Sequence, residues 1–171
     1  MNLIVFIILL GLLALVVFQD FKSRSISWFL IPLLLITFVG YGLLNLQVQE
    51  LLTFSGINIA IVLTNLLGVT LLVWIKEKEL KNIVDSYLGL GDVLFFLVLT
   101  TVFSPLNFML FYLGSVLLTT LVYGAIILFN KEKQTLIPLA GAMSILLILV
   151  LVIDAIMPTF SVYQDIISFY E

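Results

Sequence analysis

A chain of 171 residues that is 63% hydrophobic and 10% charged, with a mean hydropathy of +1.33, lies far outside soluble averages. A bilayer must supply most of its solvent, and a single domain, 1-171, accounts for its length. It has neither Cys nor His, which excludes disulfides, thiolate metal sites, cysteine nucleophiles and imidazole bases and leaves carboxylates or hydroxyls to act without metal or cofactor. The net charge of -3 is spread over so few groups that their placement matters more than their sum, and no basic surface suggests nucleic acid.

In chain order, apolar runs long enough to cross roughly 30 Å of hydrocarbon fall at Leu3 to Gln19, Trp28 to Leu46, Phe54 to Ile75, Leu88 to Phe103, Phe108 to Phe129 and Leu136 to Met157. They predict an all-α polytopic membrane protein of about six transmembrane helices. The first run lacks a basic leader and a small-residue cleavage site before Asp20, and is expected to be a retained helix rather than a secretory signal. Short breaks carry turn residues, such as Ser104-Pro105-Leu106-Asn107 and Asn130 to Gln134.

The basic residues segregate. Lys22 and Arg24 follow the first run, Lys76, Lys78 and Lys81 the third, and Lys131 and Lys133 the fifth, whereas Glu50, Asp154, Asp165 and Glu171 fall on the other side. The positive-inside rule makes the basic side cytoplasmic and puts both termini outside, in the cell membrane.

Two carboxylates need more explanation than a solvated loop provides. Asp20 ends the first run, and Asp92 is expected several residues inside the fourth. A carboxylate there costs about 2.5 to 3.5 kcal/mol on insertion scales, so it should face the bundle interior or a wet cavity. Gly89-Leu90-Gly91 precedes Asp92, and glycines at that spacing allow close helix approach or local unwinding, although packing alone would also explain them. The topology puts Asp20 and Asp92 on one face. Two carboxylates in one site can share a proton, the ionised one activating water and the protonated one polarising a carbonyl. Arg24, four residues after Asp20, could set topology by binding lipid phosphate, or could orient Asp20 or contact substrate.

The segments D-F-K-S-R-S-I at Asp20 to Ile26 and G-L-G-D at Gly89 to Asp92 resemble the paired motifs of type IV prepilin peptidases and archaeal preflagellin peptidases. Ile137-Pro138 looks like the Ile-Pro segment that packs near that family's site, and Pro138 is equally readable as a helix-start proline. The resemblance covers nearly the whole chain. It implies a six-helix intramembrane aspartic endopeptidase of the short form, without methyltransferase activity. Its catalytic residues would be Asp20 and Asp92, with Gly89 and Gly91 as site backbone and Arg24 and Pro138 in support. The implied substrates are prepilin-like proteins, cut between a basic leader and a hydrophobic helix at the cytoplasmic face. Glu77, Glu79 and Asp85 would be candidates to receive the basic leader. The chain has Ser27-Trp28 where the family usually has Pro-Asn, and Leu94 where it often has Lys.

Other readings are a presenilin-like protease, which shares the G-x-G-D pattern but is expected to have about nine helices, a small transporter whose carboxylates line an ion or proton path, and a non-catalytic membrane protein.

Overall fold

A computed structural model describes residues 3–78, 89–130, 137–157 and 159–165. They form six helices: α1 (Leu3–Ser23), α2 (Leu30–Leu43), α3 (Val48–Glu77), α4 (Leu90–Leu99), α5 (Pro105–Asn130) and α6 (Leu139–Ile156), with no strand among the described residues. Segments of α1, α3, α5 and α6 are long and apolar enough to cross a membrane. The other two helices are shorter. At 14 and 10 residues, α2 and α4 extend about 21 and 15 Å, less than the hydrocarbon thickness.

The helix ends differ from the hydropathy boundaries for local chemical reasons. The fourth run was expected to reach Phe103, but α4 stops at Leu99. The hydroxyls of Thr100 and Thr101 donate to the Leu97 and Val98 carbonyls at 2.6 and 2.8 Å, an alternative to helix continuation that these side chains offer the backbone. The buried Asn58 of α3 then donates to the freed Thr100 and Phe103 carbonyls, both at 2.9 Å. Ser104-Pro105-Leu106-Asn107, expected as a break, instead opens α5, with Pro105 at the first helical position, where its missing N–H costs nothing. Helix α3 begins six residues before its apolar run, because the Glu50 carboxylate accepts the Gln47 N–H at 3.1 Å and caps the added turn.

Helices α1, α2, α4 and α6 surround the core, with α1 against α6 and α2, and α4 against α2 and α6; α3 and α5 pack on the outside. Leu9, Leu13 and Val16 of α1 meet Leu34 and Phe38 of α2, Phe95 and Leu99 of α4, and Met143 and Leu147 of α6 in one buried cluster. Large apolar side chains such as Leu67, Leu72, Ile75, Leu117 and Leu121 remain exposed, a surface suited to lipid and not to water. The outer helices are joined by a polar contact, with the Tyr112 hydroxyl donating to Asn65 Oδ1 at 3.2 Å, a device that links helices where no hydrophobic difference between lipid and protein drives association.

After α6, residues 159–165 fold back over one end of the bundle. Asp154 Oδ1 accepts the Val162 N–H at 2.9 Å, Asp165 Oδ1 accepts the Leu106 N–H at 3.3 Å, and Asn107 donates to the Gln164 carbonyl at 2.7 Å. These two aspartates therefore satisfy backbone donors. The ends of α1 and α3 and the starts of α2, α4 and α6 gather at the opposite end, where the candidate site lies.

Candidate functional site

The first turn of α6 is the element on which the site is built. Leading N–H groups of a helix lack intrahelical acceptors, and here Pro138 in the N-cap position offers no side-chain acceptor. Two other helices supply acceptors. Asp92 Oδ1, from α4, accepts the Ala140 N–H at 3.0 Å, and Asp20 Oδ2, from α1, accepts the Gly141 N–H at 2.6 Å. The remaining donors of that turn are local, with Leu139 N bonded to the Ile137 carbonyl at 2.9 Å and Ala142 N to the Pro138 carbonyl at 3.1 Å.

The two carboxylates thus hang on adjacent peptide groups. Consecutive α-carbons are about 3.8 Å apart, so one residue's advance plus the two hydrogen bonds keeps the acceptor oxygens within about 9.5 Å. Both border the same cleft. A helix N-terminus favours negative charge by about 0.3 to 1 kcal/mol per group, which offsets part of the cost of placing two acids together. Asp20 is only 5% exposed, so its carboxylate is surrounded by protein and not by bulk water.

Asp92 sits in the first turn of α4, two residues after Leu90, where the helix begins. The reason is a cap: Gly89 adopts an extended conformation just before the helix, and Asp92 Oδ2 accepts the Gly89 N–H at 3.3 Å. The Gly89-Leu90-Gly91 segment is therefore a helix start, and neither glycine has a positive φ. Gly91 faces Ile26, and a Cβ there would meet that side chain at an ordinary 3.5 Å. Gly141 is the tight position. A Cβ on it would lie 2.9 Å from the Phe21 ring and 3.0 Å from Asp20 Oδ2.

A cleft of about 300 Å³ opens over the pair, with Asp20, Asp92 and Arg24 on its polar side and Ile26, Trp28 and Leu94 among its apolar walls. The wall carrying Trp28 is ordered by Gln19, whose Oε1 accepts the Ser27 N–H at 2.8 Å. Arg24 follows α1 in the left-handed conformation, φ 53°, with its N–H donating to the Asp20 carbonyl at 3.0 Å. That geometry closes helix ends but costs a residue other than glycine roughly 1 to 2 kcal/mol. Pro138 is buried at the start of α6, next to the amides that bind the pair.

Of the residues singled out from sequence, Asp20, Asp92, Arg24, Gly89 and Gly91 all border this one cleft. Glu79 and Asp85, like the side chain of Glu77, lie outside the described residues. Sequence reasoning missed Ala140 and Gly141, whose contribution is main-chain N–H and so leaves no side-chain signature. The available signal was two small residues just after a helix-start proline. It also missed Tyr123, on α5, against which the Arg24 guanidinium is placed.

Two carboxylates facing one cleft can share a proton and divide acid and base roles between them, without metal or imidazole. No group of three or more His, Cys, Asp and Glu side chains able to hold a metal ion occurs among the described residues. Neither a family model, nor a curated protein, nor a solved structure matches the chain.

Proposed function

We propose that this protein is an intramembrane aspartic endopeptidase that removes the leader of prepilin-like proteins at the cytoplasmic face, as a short-form type IV prepilin peptidase or preflagellin peptidase does, without methylation. The observation that carries the reading is the mounting of Asp20 and Asp92 on the adjacent Ala140 and Gly141 amides, over one cleft. The ionised member of the pair would take a proton from a water as that water attacks the scissile carbonyl. The protonated member would give its proton to the carbonyl oxygen, forming a tetrahedral diol; as the diol collapses, the member that took the water's proton passes it to the leaving amine and the other recovers its own from a diol hydroxyl. Its substrate is a prepilin-like protein with a basic leader and a hydrophobic helix, presented from the lipid.

Co-expression with a reporter made of such a leader and helix, read by mass spectrometry of its N-terminus, tests the activity. A single cut at the boundary of leader and helix is expected. An intact reporter in membranes that contain the folded chain would overturn the reading, and proton flux through proteoliposomes without cleavage would favour the transport alternative.

Orientation has its own test. Lys22, Arg24, Lys76 and Lys78 lie at helix ends on the cleft side of the bundle, which supports a cytoplasmic cleft and two outside termini by the positive-inside rule. Since the chain has no cysteine, single cysteines report without background. Ser25→Cys should resist a membrane-impermeant maleimide in intact cells and react after lysis, while Gln164→Cys should react in both; the reverse pattern would invert the topology.

A further inference from the structure

The cleft that holds Asp20 and Asp92 also has an apolar wall, made by Ile26 of the loop after α1, Ile31 of α2 and Leu94 of α4, with Trp28 and Leu90 lining it as well. Trp28 and Leu90 are 83% and 62% exposed and form the rim. Ile31 is buried, and Ile26 and Leu94 are half-buried and packed against the core, so the wall runs from the rim inward. It is fixed by local contacts. A Cβ on Gly91 would meet Ile26 Cδ1 at 3.5 Å and its Cβ and Cγ1 at 3.7 Å, so the Ile26 side chain lies along the bare backbone where α4 begins. The next residue is held from both sides, with the Ser27 N–H donating to Gln19 Oε1 at 2.8 Å and the Ser27 carbonyl accepting the Leu30 N–H at 2.9 Å. A wall ordered in advance costs little further entropy when a ligand packs on it.

Among the described residues, Asp20, Asp92 and Arg24 are the only charged side chains that line the cleft. Its volume of about 300 Å³ stands at the lower end of the range for ligand sites, about 300 to 1,000 Å³, which suits a side chain and the peptide beside it. A peptide whose scissile carbonyl lies against the two carboxylates must put a flanking side chain into this volume. A polar side chain against Ile31 and Leu94 would give up water without gaining a partner, and an apolar one would not incur that loss. Of the two residues that flank a cut between a basic leader and a hydrophobic helix, the one from the helix fits this wall.

We propose that Ile26, Ile31 and Leu94 form the specificity pocket of the cleft, taking the side chain immediately after the cut, and that this side chain is aliphatic or aromatic. The position of the cut rests on the peptidase reading, whereas occupancy of the pocket can be measured by binding alone.

Reporters that differ only in the residue after the cut measure selectivity as kcat/KM for the full chain in detergent. Wild type should prefer Val to Thr, its isostere with a hydroxyl, by about 100-fold, and Leu to Ala by at least about tenfold, the scale on which apolar pockets discriminate. Leu94→Ala widens the pocket, and the ratio of the Phe to the Val reporter should rise about tenfold. Leu94→Met, which conserves volume, should keep the wild-type order.

Because the chain has no cysteine, a disulfide to the reporter reads the contact without cleavage. In the Asp20→Asn background, Leu94→Cys is oxidised with reporters that carry one cysteine at successive positions across the cut. Such a bond needs Cβ atoms about 3.5 to 4.5 Å apart, so cross-linking should peak at the position after the cut. Ile26→Cys should give the same peak from the loop side of the wall, and serves where Leu94→Cys does not fold.

Equal cleavage of Val, Thr and Lys reporters would overturn the pocket, as would a cross-link peak on the leader side or a folded cysteine variant that cross-links nowhere. A wild-type chain that cleaves nothing, with the peak in place, would sink the peptidase reading and leave the pocket as the seat of the helix's first residue.

Discussion

Asp20→Asn and Asp92→Asn should each abolish leader removal, by at least about 1,000-fold, within the range set by losing a positioned acid or base. The two proteins should nonetheless differ in stability. An amide keeps one carbonyl oxygen, so Asn at position 20 can still accept the Gly141 N–H that Asp20 Oδ2 accepts at 2.6 Å. Asp92 uses both oxygens, one for Ala140 N–H and one for Gly89 N–H. An amide there must turn its NH₂ toward one of these donors, leaving a polar group unpaired at about 1 to 3 kcal/mol. Asp92→Asn should thus melt below Asp20→Asn in detergent, although both are inactive. The measurement is reporter cleavage paired with Tm for each variant. Residual cleavage near wild type in either would exclude a shared-proton mechanism, and equal Tm values would argue against the capping role of the second Asp92 oxygen.

Gly141→Ala should cost about 100-fold in cleavage, the size of effect produced when a reacting group is misplaced by about 1 Å. The added Cβ would stand 3.0 Å from Asp20 Oδ2 and 2.9 Å from the Phe21 ring. Phe21 is 43% exposed and can swing outward, but Asp20 is buried and held by the amide of the substituted residue itself. The carboxylate must therefore move. Stability should change little, because alanine gains up to about 1 kcal/mol over glycine in a helix, against the loss of one hydrogen bond. Gly91→Ala should be much milder, a loss of a few-fold, since its Cβ would make ordinary contact with Ile26. The expected ranking is unintuitive, for Gly91 belongs to the G-x-G-D segment and Gly141 to no motif. Cleavage and Tm of both variants decide it, and a Gly91→Ala protein less active than Gly141→Ala would reverse the account of what fixes the pair.

The helical architecture and the convergence of Asp20 and Asp92 were legible because hydropathy, basic residues and two acids set against apolar runs all leave marks in side chains. Helix ends were less so. Thr100 and Thr101 look like tolerable positions in an apolar run, and only their bonds to Leu97 and Val98 reveal that α4 stops short. Pro105 reads as a breaker or as a first helical residue until its neighbours are placed. The anchors at Ala140 and Gly141 were hidden for a deeper reason: every residue but proline has an N–H, so a site assembled from main-chain donors carries no composition signal. Tyr123 was equally silent, one aromatic among many on an outer helix, until the left-handed turn at Arg24 directed a cation toward it.

Because α1 and α4 deliver their carboxylates to neighbouring links of the same chain, the distance between the acids is insulated from relative sliding of the helices that bear them. If α6 tilts or shifts, both acids ride with it in the same sense, and the gap between them is preserved to first order. A pair fastened separately to α1 and α4 would instead widen and narrow as the lipid squeezed the bundle. The shared mount acts like a differential gauge: motion common to both arms cancels, and the separation that proton sharing depends on is kept inside a fluid host.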